Sequence, residues 1–240
     1  MEIYLSVVIP VYNEEKRIGH TIKTIKQYFD QQGYIYEVIL VDDGSTDATK
    51  DVIGNLIKNL PNYKLMINSH NQGKGAVVRQ GMMAASGQYI LFIDADGATP
   101  INQIEKLLPY IDEYEVVFGS RHCPGGIIRI AQAKHRVILS RLSNLLIRWL
   151  LLPGICDTQC GFKLFQAKPA KQIFSLSKIN RFGFDFEILA IAKYLGYNFK
   201  EIGVEWHDDP NSKVRAGKEA LRTLRDLLKV KWNLLRRYYS

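Results

Sequence analysis

Two carboxylates, Asp94 and Asp96, stand one residue apart directly after the apolar run Tyr89 to Ile93. Hard oxygen ligands of this kind hold Mg²⁺ or Mn²⁺, and such a cation neutralises the charge gathering on a departing diphosphate. Alternation along an extended segment turns both carboxylates the same way, toward one metal, or one of them toward a ribose. Asp42 and Asp43 close a second apolar run. Their oxygens can accept from the N–H and O–H groups of a nucleotide's base and ribose; the plain alternative is helix capping by Asp43 and Ser45. Gly73-Lys74-Gly75 opens a helical pattern where backbone donors and the Lys74 ammonium can meet phosphate. It matches neither G-x-G-x-x-G nor the Walker pattern, so neither a dinucleotide nor an ATP site is supported.

A second phosphate has its own candidates. Arg121, Arg136 and Lys163 are cationic, and the planar arginine fork binds two phosphate oxygens at once. Arg136 and Ser140 lie one helical turn apart and can point at one anion. Asp185 and Glu187 sit at a predicted helix start, where they either favour the helix dipole or line an acceptor site.

These residues need a frame. Leu5 to Val11, Glu37 to Asp42, Lys64 to Asn68, Tyr89 to Asp94 and Glu115 to Gly119 read as short buried strands. Helical spacing fills Glu15 to Gln32 and Gly75 to Ser86, and Ser45 or Thr46 is the expected N-cap of a helix between them. Strands alternating with helices mean βαβ units and a largely parallel sheet. In such sheets ligands bind beyond the carboxyl ends of the strands. Those ends carry Pro10 to Glu14, Asp42-Asp43 and Asp94-Ala95-Asp96, so three polar clusters converge on one edge. Further on, the pattern predicts a helix over Arg136 to Leu152, a loop over Pro153 to Gly161, a helix over Phe184 to Leu195, a strand over Glu201 to Trp206 and a basic helix over Lys218 to Arg237. No Pro/Gly/Ser-rich linker divides the chain, so residues 1–240 read as one domain with halves at 1–120 and 121–240.

The chain has 240 residues, a hydrophobic fraction of 47% and a net charge of +8. A basic balance suits an anionic partner, whether nucleic acid, lipid or phosphorylated substrate. Aromatic and basic residues are not interleaved as in a nucleic-acid reader, so nucleic acid ranks last. Cys123, Cys156 and Cys160 make no disulfide framework, and no second Cys/His pair completes a zinc site; buried small hydrophobes are the expectation. Neither a signal peptide nor a simple membrane span is predicted. The last helix instead places Leu221, Leu224, Leu228 and Leu235 on one face near Trp232, with Lys218, Arg222, Arg225, Lys229 and Lys231 mostly elsewhere. With the apolar stretch inside 136–152, it suits a membrane interface on the cytoplasmic side; a core-packed helix with a solvated basic face is the alternative.

The motifs VVIPVYNEE, VDDGSTD and FIDADGATP, in this order, resemble family 2 glycosyltransferases of the GT-A (Rossmann-like) fold. FGSR at Phe118 to Arg121, the helix with Arg136 and Ser140, and Asn211-Ser212-Lys213 resemble the branch acting on polyprenyl phosphates. DADGATP and GICDTQCGFKLF resemble the dolichyl-phosphate β-glucosyltransferases, which use UDP-glucose; a mannose synthase using GDP-mannose, or a family 2 transferase acting on a sugar hydroxyl, is the alternative. The resemblance implies that Pro10, Tyr12, Glu14, Val41 and Asp43, with Asp42, Lys74 and Ala95, hold the nucleotide-sugar. Asp94 and Asp96 would handle Mg²⁺ or Mn²⁺ and the diphosphate. Arg121, Arg136 and Ser140 would receive the lipid phosphate, and Lys213 would close over the donor. Asp96, Arg121 and Arg136 are the expected catalytic set. Ala98 stands where mannose-phosphate synthases often carry a glutamine metal ligand, and the membrane anchors of some relatives are not expected, so attachment would be peripheral. A non-catalytic membrane-protein partner of another transferase is the non-enzyme alternative, against which both intact aspartates argue.

Overall fold

The computed structural model describes residues 2–129, 144–207 and 216–239. Strands β1 (Leu5–Val11), β2 (Tyr36–Asp42), β3 (Tyr63–Ile67) and β4 (Tyr89–Ile93) are linked by helices α1 (Ile18–Phe29), α2 (Thr49–Ile57) and α3 (Lys74–Ala84). After β5 (Val116–Ser120) come the short β6 (Ile127–Ile128), a helical segment over residues 144–150 (α4) and β7 (Phe162–Gln166). Helices α5 (Ala167–Leu176) and α6 (Phe184–Tyr194), strands β8 (Phe199–Gly203) and β9 (Glu205–Trp206) and helix α7 (Ala216–Leu235) follow.

Seven strands form one sheet in the order β3-β2-β1-β4-β7-β5-β8. Every neighbouring pair is parallel except β7, which runs antiparallel to both β4 and β5. Strand alternation divides the core. Val7, Ile9, Val38, Leu40 and Leu91 pack with Ile22, Ile25 and Phe29 of α1 on one face. Val8, Ile39, Val41 and Phe92 pack with α3, α5 and α6 on the other. Period-2 alternation with both faces covered makes these strands continuous apolar runs.

The sheet topology sets the site. Parallel pairing aligns the carboxyl ends of β1, β2 and β4 on one edge, and two antiparallel steps through β7 bring the carboxyl end of β5 to it as well. Antiparallel pairing of Ile93 with Phe162 brings the amino end of β7 to that same edge. Gly161, directly before β7, therefore lies against Asp94: a Cβ at Gly161 would come 2.0 Å from Asp94 Oδ2.

Several elements depart from the sequence-based expectation. Neither β7 nor α5 is foreseen, because FKLFQ is short and carries a lysine facing the core. The strand expected over Glu201 to Trp206 is two strands: β8 joins the large sheet, whereas β9 pairs with β6. Neither Ser45 nor Thr46 caps α2. Asp47 Oδ1 instead accepts from Thr49 N at 3.0 Å, and Ser45 is engaged by Asp42. Of the three cysteines only Cys160 is buried. No helix among the described residues is long and apolar enough to cross a membrane.

Candidate active site

The loops after β1 and β2 interlock. Ser45 N donates to Asp42 Oδ2 at 3.0 Å, and the Ser45 hydroxyl donates to Asp42 Oδ1. Asn13, at φ 55°, donates from its N–H to Ser45 Oγ at 2.9 Å and accepts from Thr46 N at 2.8 Å. Fully buried, Asp42 shapes this turn. Asp43 is also buried, and its carboxylate accepts from Gln72 N at 2.7 Å and Gly73 N at 2.9 Å. Both carboxylates, expected at the base and ribose, thus bind backbone. Pro10 and Val41 face each other in the β1–β2 register and are buried, Tyr12 is 42% exposed beyond them, and Glu14 forms a 2.6 Å ion pair with Arg17.

Asp43 sets the start of α3, and through it Lys74. Gly73 has φ 102°, and a Cβ there would meet Asn180 O at 2.3 Å. That close approach seats Lys74 with its Nζ 2.6 Å from Asp94 Oδ1. The ammonium also lies 5.5 Å from the Phe92 ring and 5.9 Å from that of Phe184. Burial alone would lower its pKa; Asp94, Asp185 and Asp96 outweigh burial and raise it to about 12. Lys74 stays an ammonium throughout the physiological range.

Asp94-Ala95-Asp96 is a turn rather than an extended segment. Ala95 is buried, and its carbonyl accepts from Thr21 Oγ1 at 2.7 Å. Asp96 is exposed, with Oδ1 accepting from Ala98 N at 3.0 Å. Partial enclosure, followed by the Asp94 charge, raises its carboxyl above the ordinary value. Two nearby carboxylates, one disfavoured as an anion, call for a cation between or beside them.

Arg121 follows β5 on the same edge. Its Nε and Nη2 donate to Asp157 Oδ2 and Oδ1 at 2.7 and 2.9 Å, and Trp206 covers the guanidinium at 5.1 Å. The expectation for Lys163 is corrected. It points into the core, fully buried, donating to Asp185 Oδ1 at 2.5 Å and Cys160 O at 2.6 Å. No face of it is open to an acceptor phosphate. Glu187 is likewise buried and structural, accepting from Lys178 N, Ile179 N and the Tyr239 hydroxyl at 2.8 to 2.9 Å. Asp185 is buried against Lys163 and does not line an open acceptor site. Arg136, Ser140 and Lys213 lie outside the described residues. Sequence reasoning noted Asp157 only as flanked by Cys156 and Cys160 and assigned it no role beside Arg121.

Residues 6–174 match the family model for glycosyl transferase family 2. The chain belongs to glycosyl transferase family 2. This glycosyltransferase is 32% identical to the dolichyl-phosphate beta-glucosyltransferase of Dictyostelium discoideum, over 97% of its own length and 75% of that protein. Against the human dolichyl-phosphate beta-glucosyltransferase the identity is 35%, covering 96% of this chain and 76% of the relative. Among solved structures, glucosyl-3-phosphoglycerate synthase of Mycobacterium tuberculosis, in complex with Mn²⁺, UDP-glucose and phosphoglyceric acid, superposes with a TM-score of 0.71. It is 18% identical and covers 96% of this chain and 80% of that one. The fold of the glycosyltransferase is therefore GT-A.

The donor set of the site fits a divalent metal. Asp94 and Asp96 offer hard oxygens, and the raised Asp96 carboxyl is relieved by added positive charge. No third His, Cys, Asp or Glu joins them among the described residues, so diphosphate oxygens and water would complete the shell.

Proposed function

We propose that this glycosyltransferase transfers glucose from UDP-glucose to a dolichyl or other polyprenyl phosphate at a membrane surface, with inversion. The observation carrying this reading is the similarity to dolichyl-phosphate beta-glucosyltransferases across nearly the whole chain. The geometry suits it: Lys74, Asp94 and Asp96 form one charged cluster, and Arg121 stands on the same sheet edge as a second anion site. Tyr12 and the interlocked β1–β2 loops border the nucleotide's place, and Asp43 acts there through Gln72, Gly73 and Lys74.

The acceptor phosphate oxygen forms a bond to the anomeric carbon as the bond from that carbon to the diphosphate oxygen breaks, its electron pair leaving with UDP. A phosphate monoester has its second pKa near 6, so the attacking oxygen is already ionised and no protein base is required. Asp94 and Asp96 would hold Mg²⁺ or Mn²⁺, which would supply charge neutralisation on the diphosphate. Lys74 adds a fixed positive charge beside the leaving group, and Arg121 offsets repulsion between the two phosphates. Arg136 and Ser140, which lie outside the described residues, would complete the acceptor site, and Lys213, also outside them, would serve the donor site.

Attachment to the membrane is peripheral, through α7 and α4. Leu228, Trp232 and Leu235 are 57%, 56% and 70% exposed, and Leu145 and Trp149 of α4 are 60% and 79% exposed. Lys231 Nζ donates to Leu150 O at 3.1 Å, tying the two helices together. Apolar and indole groups beside exposed Arg225, Lys229 and Arg236 suit an anionic interface.

The test uses purified protein, Mg²⁺ or Mn²⁺, and UDP- and GDP-sugars with and without a short polyprenyl phosphate. Nucleotide release from UDP-glucose, strongly raised by the lipid phosphate and largely lost in Asp96→Asn, is expected. Release from GDP-mannose alone would replace the donor; release raised by a sugar hydroxyl but not by lipid phosphate would replace the acceptor.

A further inference from the structure

The loop between α4 and β7 holds a carboxylate that the transfer step does not use. Asp157 has no exposed side-chain surface. Its Oδ2 accepts from Arg121 Nε at 2.7 Å and Arg121 N at 3.1 Å; its Oδ1 accepts from Arg121 Nη2 at 2.9 Å and Gln159 N at 3.1 Å. A carboxylate has about four acceptor sites, so these bonds saturate it. The loop is held from behind. Glu201 accepts from Asp157 N at 2.7 Å through Oε1 and from Cys156 N at 2.8 Å through Oε2. Glu201 lies on β8 in register with Phe118 of β5, the strand that ends at Ser120, directly before Arg121. A closed circuit therefore runs from β5 through β8 and the loop back to the guanidinium. Trp206 shields the guanidinium at 5.1 Å. Only Nη1 makes no hydrogen bond among the described residues, and the Arg121 side chain keeps 14% exposure.

We propose that Asp157 is a positioning residue for glycosyl transfer: anchored through Glu201, it locks the Arg121 fork so that the Nη1 edge presents to the acceptor phosphate. The inference rests on the reading that Arg121 binds that phosphate. A role as general base does not fit the geometry, because no lone pair is left for a substrate proton and no solvent reaches the carboxylate. Burial by itself would raise the Asp157 carboxyl, but Arg121 and its backbone N–H hold it far below the ordinary range, which makes it a poor base. Arg121 also lies close enough to Asp94 for that carboxylate to help raise its own pKa, so the clamp and the metal-facing cluster share one electrostatic field.

A double-mutant cycle tests the proposal, using wild type, Asp157→Asn, Arg121→Met and the double variant. Each is assayed for KM and kcat with UDP-glucose and a short polyprenyl phosphate, and for the pH dependence of kcat/KM. Asparagine turns an N–H₂ toward arginine donors, so the fork shifts. A misplacement of about 1 Å costs roughly 100-fold in rate, and a loss of that order in kcat/KM for the lipid phosphate is expected. The KM for UDP-glucose should stay nearly constant, and the acid limb of the profile should not move. Adding Asp157→Asn to Arg121→Met should cost nothing more, because residues acting through one contact are not additive. Additive losses, or disappearance of the acid limb, would show a direct chemical role and overturn the proposal. If Arg121→Met alone leaves acceptor kinetics unchanged, the acceptor assignment fails and the inference with it. Should Asp157→Asn not fold, the double variant, which has no unpaired buried charge, is compared with Arg121→Met: equal rates support positioning, and a further loss refutes it.

Discussion

Lys74 Nζ lies 2.6 Å from Asp94 Oδ1, joining the amino end of α3 to the carboxyl end of β4. The pair sets a cation at the place where a diphosphate would gather charge. A charged hydrogen bond to a diphosphate is worth about 1.5–3 kcal/mol. Lys74→Met should therefore weaken UDP-glucose binding by at least about ten-fold. Titration calorimetry with UDP-glucose and Mn²⁺ measures this, and unchanged affinity would leave Lys74 a partner of Asp94 alone.

The start of α3 depends on glycine. At φ 102°, with its would-be Cβ 2.3 Å from Asn180 O, Gly73 has no room for a side chain. Gly73→Ala should cost about 2 kcal/mol through backbone strain and collision. Gly54, exposed inside α2 with nothing near its would-be Cβ, is the control. Gly54→Ala should stabilise by about 0.5–1 kcal/mol. Urea unfolding of both variants gives the comparison.

Lys163 and Asp185 form a buried pair beneath the site, Nζ to Oδ1 2.5 Å. Removing one partner strands the other, at a typical cost of about 3–5 kcal/mol. Lys163→Met should thus unfold at markedly lower denaturant than the wild type. Lys163→Met with Asp185→Leu should recover most of the loss. If both variants are equally unstable, packing rather than charge dominates there.

Acid sensitivity follows from the carboxyls held low. Asp157 is lowered by Arg121 against the effect of burial, and Glu37 is lowered by Ser6, Lys64 and Ser86 N–H, also against burial. At these two groups the folded chain binds fewer protons than the unfolded chain in the acid range. These contributions are complete above the unfolded values of about 4 and fade as pH falls below them toward the folded ones. Asp185 and Glu187, raised by burial, act oppositely, their contribution falling as pH rises above about 4. Between pH 4 and 3 the wild type should lose more stability than Arg121→Met/Asp157→Asn, measured by denaturant unfolding at each pH.

The exposed apolar stripe of α7 makes a separable prediction. Leu228 and Leu235 are 57% and 70% exposed, so charge there should leave folding intact. A buried leucine side chain contributes about 1.5–3 kcal/mol. Leu228→Glu should reduce sedimentation with anionic vesicles about ten-fold or more while the melting temperature hardly moves. Unaltered vesicle binding would place the membrane contact elsewhere.

Much of this protein is written locally. The apolar runs of β1, β2, β4 and β5 mark buried strands, because period 2 and coverage on both faces are properties of a few consecutive residues. The convergence of Tyr12, Asp42, Asp43 and Asp94 on one edge follows from parallel βαβ units alone. The partner of each charge is not local. Arg121 meets Asp157 across 36 residues, Asp43 meets Gly73 across 30, and Lys163 meets Asp185 across 22. The position of β7 decided the last of these pairings and one further contact. Its antiparallel insertion between β4 and β5 turned Lys163 into the core and set Gly161 against Asp94. A strand's own residues carry its alternation but not its neighbours, since pairing is chosen by the whole sheet closing over its core. For that reason the sequence by itself determined which residues stand at the site's edge. Only the tertiary structure decided which of their charges remain available to a ligand.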